Sequence, residues 1–142
     1  ICATEARLQR GARAGAVAPM NTEEARRLLT LWRNALLASV QADGPDLSTR
    51  QMTIMLTVYL KDPPHTVRGL AAEMKVAKPV ITRALDTLGR QGLLKRRRDP
   101  ADRRNVLVQR TVKGAVFLSE FEDLIGKSRG ILDTSEDFSH VA

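Results

Sequence analysis

The sequence predicts a mainly α-helical fold with a small β-hairpin (α+β), in which a winged helix-turn-helix stands between two further helices. Two observations support this fold class. Residues 66–113 contain two short helical stripes followed by two strand-like runs, and most of the positive charge lies in the same segment. A chain of 142 residues, 43% hydrophobic and 27% charged, has the composition of one globular domain.

The first part of this segment predicts two short helices that cross. An apolar stripe at i, i+3, i+4 and i+7 is formed by Val67, Leu70, Ala71 and Met74. Thr66 precedes it and can cap the free amides of a first helical turn. A second stripe, Ile81, Leu85 and Leu88, begins after a turn of about three residues at 75–77. Two helices joined so tightly cannot form one rod, so the pattern predicts a helix-turn-helix.

The boundaries of the second helix are marked by a proline and a glycine, whose backbone conformations differ from those of other residues. Pro79 favours a helix start, because its fixed φ suits the first turn and its missing N–H has no partner there. Gly92 follows the last apolar turn, where a left-handed residue stops a helix. These two positions predict a second helix that ends shortly before Gly92.

A basic hairpin is predicted next. The strand-like runs LLKRRR and NVLVQR are separated by the turn-rich DPADRR, and Val106 and Val108 alternate with outward residues as in a half-buried strand. We expect the tip to carry four arginines, Arg97, Arg98, Arg103 and Arg104. A helix-turn-helix followed by such a hairpin is a winged helix-turn-helix.

The distribution of charge indicates a polyanionic partner. The net charge is +7, and residues 66–113 hold 13 Lys and Arg against 4 Asp and Glu, whereas the rest of the chain holds 10 against 12. A basic footprint confined to one segment is typical of nucleic-acid binders. A solvated basic face is the alternative, but it does not explain why the charge follows the hairpin and the second helix.

Several other function classes find little support. The two histidines, His65 and His140, have no Cys or carboxylate at metal spacing nearby, so we expect no metal site and treat His65 as a loop residue. No nucleophile motif or phosphate-binding loop is present, so we expect neither an enzyme nor a cofactor. No run of 18 apolar residues occurs, which predicts no membrane span. Cys2 is a lone cysteine, which suits a reducing compartment, and the predicted location is the cytoplasm.

The flanking segments predict helices with apolar faces too broad for a monomer. Residues 22–42 form one stripe, but Leu31 and Leu37 lie outside it, and residues 112–133 are similarly apolar. We therefore expect a single domain at 21–133, with a winged region at 48–110 and these two helices forming a homodimer. Residues 1–20 and 134–142 are predicted to be a weakly ordered tail and a frayed end.

The residues 66–114 resemble the MarR family of bacterial transcription regulators. The most specific part is the hairpin, with Asp99-Pro100, then Asp102 and Arg104, an aliphatic strand and a Thr-x-x-Gly that ends at Gly114. One departure is Ala77, where this family usually has a serine; its absence removes a helix cap and a phosphate contact. The resemblance implies a homodimeric regulator, most often a repressor, that binds a palindromic operator on the bacterial nucleoid.

Candidate DNA-binding side chains lie on the second helix, the first helix and the hairpin. On the second helix Lys78, Pro79, Thr82 and Arg83 project away from the predicted core. Thr82 could reach a base edge or a thymine methyl, and Arg83 could bind guanine or phosphate, unless it pairs with Asp86 instead. Arg68 could contact a DNA phosphate, or it could be a surface arginine with no role in binding. Arg103 and Arg104 suit a narrow minor groove, and Asp102 is expected to orient one of them.

A ligand pocket is also expected. The resemblance implies that a small aromatic or anionic effector binds between the dimer layer and the winged region. The residues that could line this pocket, or form plain core, are Trp32, Met52, Met55 and Tyr59.

Two functions rival that of a sequence-specific regulator. One is a non-specific or architectural nucleic-acid binder, although the 4% aromatic content argues against stacking on single strands. The other is a winged-helix module for protein–protein interaction.

Overall fold

A computed structural model describes residues 21–137, and within them the predicted α+β winged fold is confirmed. The elements in chain order are α1 (Thr22–Gln41), α2 (Thr49–Leu60), β1 (His65–Thr66), α3 (Val67–Glu73), α4 (Lys78–Arg90), β2 (Leu94–Arg98), β3 (Val106–Arg110) and α5 (Val112–Asp137). The predicted tail at 1–20 and the chain end at 138–142 lie outside the described residues, with Cys2 and His140. No helix between 21 and 137 combines the length and apolarity needed to cross a membrane.

Four of the helices begin at side-chain caps. The capping oxygens accept hydrogen bonds from main-chain amides three residues later, and the caps are Asn21, Ser48, Thr66 and Thr111. At Ser48 the box is reciprocal, because the Gln51 side chain accepts from the Ser48 amide at 2.8 Å. Each cap replaces water at an amide that the helix leaves without a partner, which typically contributes about 1 kcal/mol.

The helix α4 begins without such a cap. Ala77 occupies the cap position and offers no side-chain bond, and Pro79 lies in the first turn. The turn before it has Lys75 at φ 52°, and Gly92 after the helix has φ 74°, the left-handed conformation predicted for it. The two helices of the helix-turn-helix are therefore separated by a tight turn, as the sequence indicated.

Within the described residues the sheet has three strands rather than the predicted two. The strand order is β1-β3-β2, and both pairings are antiparallel. The hairpin strands pair from Leu94 opposite Arg110 to Arg98 opposite Val106. His65 was predicted to lie in a loop, but it belongs to β1 and pairs with Val108 of β3. A strand of two residues is too short to show any alternation, which is why the sequence did not reveal it.

The core lies within the winged region. Helices α2, α3 and α4 and the first residue of β2 enclose a cluster whose fully buried members include Ile54, Met55, Val58, Ile81, Leu85, Leu88 and Leu93. On the sheet, Val108 is 3% exposed, as its alternating pattern predicted. Interlocked burial of this kind fixes the position of α4 relative to the hairpin.

Tyr59 links three elements at the base of the hairpin. Its hydroxyl donates to the carbonyl oxygen of Leu93 at 2.9 Å and accepts from the amide of Thr111 at 3.0 Å. The Thr111 hydroxyl in turn donates to the carbonyl oxygen of Gly92 at 2.7 Å. Gly114 is required beside them, because a Cβ there would lie 1.9 Å from the Tyr59 hydroxyl and 2.2 Å from the Leu93 oxygen. We call these residues, 59, 92, 93, 111 and 114, the hairpin anchor.

The helices α1 and α5 pack on each other and form a separate layer. Trp32 contacts Phe121 edge to face, with ring centroids 6.3 Å apart. The helix α5 continues to Asp137, four residues beyond the predicted end at 133. Gly126 and Gly130 are helical, so the weak helix propensity of glycine does not end the helix there.

Candidate nucleic-acid interface

The helix α4 presents a polar side away from the core. Ile81, Ala84, Leu85 and Leu88 are its buried residues. Lys78, Pro79 and Arg83 are exposed and Thr82 is half-buried. The structure therefore brings the four predicted contact residues of this helix to its unburied side, within its first two turns.

Thr82 is restricted by a local hydrogen bond. Its hydroxyl donates to the carbonyl oxygen of Lys78 at 3.1 Å. The hydroxyl proton is therefore used within the helix, whereas the oxygen lone pairs and the methyl group remain available. Of the two roles expected for Thr82, contact with a thymine methyl requires no change in this bond.

Asp86 pairs with the hairpin rather than with Arg83. Its carboxylate accepts from the guanidinium of Arg96 in β2, and the pair joins the middle of α4 to the wing. The expected alternative for Arg83, a pair with Asp86 one turn away, is therefore not formed. Arg96 was not among the predicted site residues, because a partner ten residues distant across a turn leaves no periodic signal in the sequence.

The hairpin carries cations along its whole outer arm. In β2, Leu94 is buried and the next four residues, Lys95 to Arg98, are exposed. Arg97 lies opposite Leu107 and Arg98 opposite Val106. These two arginines were predicted at the tip, but they belong to the strand, because pairing with β3 extends to Val106. The basic surface of the wing is therefore longer than a tip alone.

The tip itself is held by a set of turn hydrogen bonds. The carbonyl oxygen of Asp102 accepts from the Asn105 amide at 2.9 Å, so Arg103 and Arg104 occupy the two central positions of a turn. The Asp102 carboxylate accepts from the Arg104 amide at 3.0 Å. Asp102 thus fixes the main chain of Arg104, whereas a bond to a guanidinium was expected. Both arginines are exposed.

Three elements share this basic surface. The helix α4 packs against both α3 and β2. Arg68, on α3, is exposed and adds a further cation. The surface formed by Arg68, the first two turns of α4 and the hairpin arginines is called the basic surface below.

Of the four residues that could line an effector pocket or form plain core, two lie in or against the core of the winged region. Met55 is fully buried there, and Tyr59 packs against the same core and belongs to the hairpin anchor. Trp32 packs against Phe121 in the other layer, and Met52 is half-buried on α2. Helical spacing places residues on one face of a helix, but it cannot distinguish a face that packs in the core from a face that lines a cavity. The sequence alone therefore could not decide between these two roles.

A cavity of about 370 Å³ lies instead beside the loop that joins α1 to α2. Its wall includes Asp43 and Pro45 from that loop and Phe117, Phe121 and Leu124 from α5. The apolar face of α5 was visible in the sequence, but its position against the loop was not. Among the described residues, no group of three or more metal-binding side chains is placed to hold an ion.

Comparison with known proteins supports the resemblance noted in the sequence. The model of the MarR family matches residues 47–106. The fold is similar to a mutant of S. aureus MepR, with a TM-score of 0.65 and 17% identity over 86% of this chain and 91% of that one. It is also similar to the S. aureus MepR–DNA complex (TM-score 0.57, 15% identity, 84% and 89% covered). A third similar structure is the Thermotoga maritima transcriptional regulator Tm0710 (TM-score 0.58, 23% identity, 84% and 89% covered).

Proposed function

We propose that this chain, which carries a MarR-family domain at residues 47–106, is a transcription regulator that binds double-stranded DNA in a sequence-specific manner. The observation that carries the proposal is the basic surface. Its cations are exposed, and the three elements that present them, α3, α4 and the hairpin, are held together by the core, while the Asp86–Arg96 pair also joins α4 to the hairpin. A polyanion can bind such a surface without first ordering it.

The DNA contacts expected for each element follow the geometry of helix-turn-helix proteins. The start of α4 enters the major groove, where Lys78, Pro79, Thr82 and Arg83 lie against base edges or phosphates. Arg97 and Arg98 follow the backbone along the hairpin arm, and the turn at Arg103 and Arg104 enters the adjacent minor groove. Arg68 contacts a phosphate from α3. One protein of similar fold, S. aureus MepR, was solved as a complex with DNA, which supports DNA as the partner.

A homodimer would present two such surfaces to a palindromic operator. The layer of α1 and α5 has apolar side chains facing solvent, including Leu29 and Val40 at 68% and 70% exposure. A two-fold contact through this layer would cover these residues and set the spacing of the half-sites. Residues 22–42 and 112–133 then serve dimerisation, and residues 48–110 serve DNA binding.

The regulatory part of the proposal is a repressor that releases DNA when a small aromatic or anionic effector binds. The cavity beside the α1–α2 loop offers a place for an aromatic ring beside Phe117 and Phe121, whereas the carboxylates of Asp43, Glu120 and Asp123 in its wall disfavour an anion there. It is bounded by the end of α1, the α1–α2 loop and α5, so an occupant could alter how the dimerisation layer meets the loop that leads to α2. Such a regulator acts on the nucleoid, in the cytoplasm of a bacterial cell.

The test is a selection of duplexes from a random library by the full chain. We expect inverted repeats to be enriched and to bind at least about 10³-fold more tightly than scrambled duplexes at the same salt concentration. Equal affinity for selected and scrambled duplexes would instead favour an architectural nucleic-acid binder. Absence of duplex binding would favour the protein-interaction module.

A further inference from the structure

A recess lies between α2 and α4. It has a volume of about 260 Å³ and is bounded by the first turn of α2 and the middle of α4. Its polar lining residues are Ser48, Arg50, Gln51, Arg83 and Thr87. Since one water in the liquid occupies about 30 Å³, the recess can hold an anionic group together with several waters.

The charges around the recess are of one sign. Arg50 and Arg83 reach it from two different helices, and no Asp or Glu is among the described residues that line it. The nearest carboxylate on α4, Asp86, is already engaged by Arg96 on the hairpin side. Two guanidiniums that converge without a carboxylate between them repel each other, and a bound anion would relieve this repulsion.

The Ser48 hydroxyl can complete such a site. Its oxygen accepts from the Gln51 amide at 3.3 Å, which leaves its own proton to donate. The Thr87 hydroxyl is engaged on both sides, because it donates to the carbonyl oxygen of Arg83 at 3.4 Å and accepts from the guanidinium of Arg90 at 3.2 Å. An oxyanion would offer the Ser48 proton and both guanidiniums stronger acceptors than water does.

We infer that this recess holds a backbone phosphate of the bound DNA, clamped between Arg50 and Arg83 beside the major groove entered by α4. Arg50 is then a further DNA contact, outside the helix-turn-helix and the wing. Arg83 acts on the phosphate rather than on guanine, which decides between the two roles expected for it. The inference rests on the proposed function, because it names the part of the DNA that this site contacts.

The experiment compares Arg50→Ala, Arg83→Ala and the double variant on one selected operator and on all its single base-pair variants. We expect each single change to weaken binding equally on every sequence and to lower the log–log salt slope, and the double variant to lower it by about 0.9 in all, because one phosphate is lost. Because both arginines hold one phosphate, the loss in the double variant should be smaller than the product of the single losses. Lys61→Ala is the matched control and should bind as wild type does, because this exposed lysine is paired with Glu73 at the end of α2.

Other outcomes overturn the inference in distinguishable ways. Relaxed preference at one base pair in Arg83→Ala, with an unchanged salt slope, would make Arg83 a base contact. An Arg50→Ala protein with wild-type affinity and slope would remove the clamp. Arg50→Gln, which keeps most of the length of the side chain, repeats the test if Arg50→Ala unfolds. Failure of the wild-type chain to bind any duplex would reject the proposed function itself, and the inference with it.

Discussion

The winged region and the layer of α1 and α5 differ in how far their apolar side chains are buried. Residues 47–111 close a core around Ile54, Ile81 and Leu88, each fully buried. In α1, Ala35 is the one buried residue, whereas Leu29 and Val40 face solvent. The winged region therefore closes its apolar core within one chain, whereas the layer leaves apolar side chains of α1 at its surface, where we propose that a partner subunit packs. The two regions should therefore respond differently to the same kind of substitution.

The largest expected effect is a cavity in the winged core. Leu88→Ala should lower the free energy of unfolding by about 2–5 kcal/mol, since Leu88 is 0% exposed. Leu60→Ala, on the 68% exposed residue at the end of α2, is the control and should change it by less than about 0.5 kcal/mol. Urea denaturation followed by circular dichroism measures both. Equal losses would mean that the core is not the source of stability.

A smaller effect is expected in the layer, and it should appear in assembly rather than in folding. Leu29→Lys places a charge where we propose that a partner subunit packs, and should cost about 1.5–3 kcal/mol of dimerisation per subunit. Leu60→Lys is a matched control, because Leu29 and Leu60 are both 68% exposed. Analytical ultracentrifugation gives the dissociation constants. A Leu29→Lys dimer as stable as the control would place the interface elsewhere.

The hairpin anchor joins the two regions and offers a third substitution. Tyr59→Phe leaves the Thr111 amide without its partner, and leaves the Leu93 carbonyl with the Thr111 hydroxyl as its remaining side-chain donor, which should cost about 1–3 kcal/mol of unfolding free energy. The control Thr57→Val removes a hydroxyl on the same helix that bonds only to its own turn, at the carbonyl oxygen of Thr53. Thermal unfolding of both variants measures the difference. A loss as small as that of Thr57→Val would show that the anchor contributes little.

Features that depend on neighbours in the chain could be predicted from the sequence. The caps at Ser48, Thr66 and Thr111 each act on an amide three residues away, so the residue types alone indicate them. The hairpin strands and Gly92 were predicted for the same reason. Their signals are local patterns of apolar spacing and turn chemistry.

Features that depend on distant residues could not be predicted. Tyr59 and Thr111 are 52 positions apart, and nothing in the spacing of either indicates that they meet. The same holds for Arg50, which reaches one recess with Arg83 only because α2 packs on α4. Tyr59 could have lined a ligand pocket or formed plain core, because its helical spacing suits both equally. Packing between elements decides such cases.

The central claim is that the wing binds DNA, and a salt titration of operator affinity tests it most directly. The variant Arg103→Ala/Arg104→Ala should fold as wild type does, because both residues are exposed at the turn. Its affinity should fall sharply, and its log–log salt slope should decrease by about 1.8 if each arginine neutralises one phosphate. Lys61→Ala, which removes an exposed lysine paired with Glu73 at the end of α2, should keep the wild-type affinity and slope. A wing variant that also keeps both would contradict the claim and favour a protein partner for the hairpin.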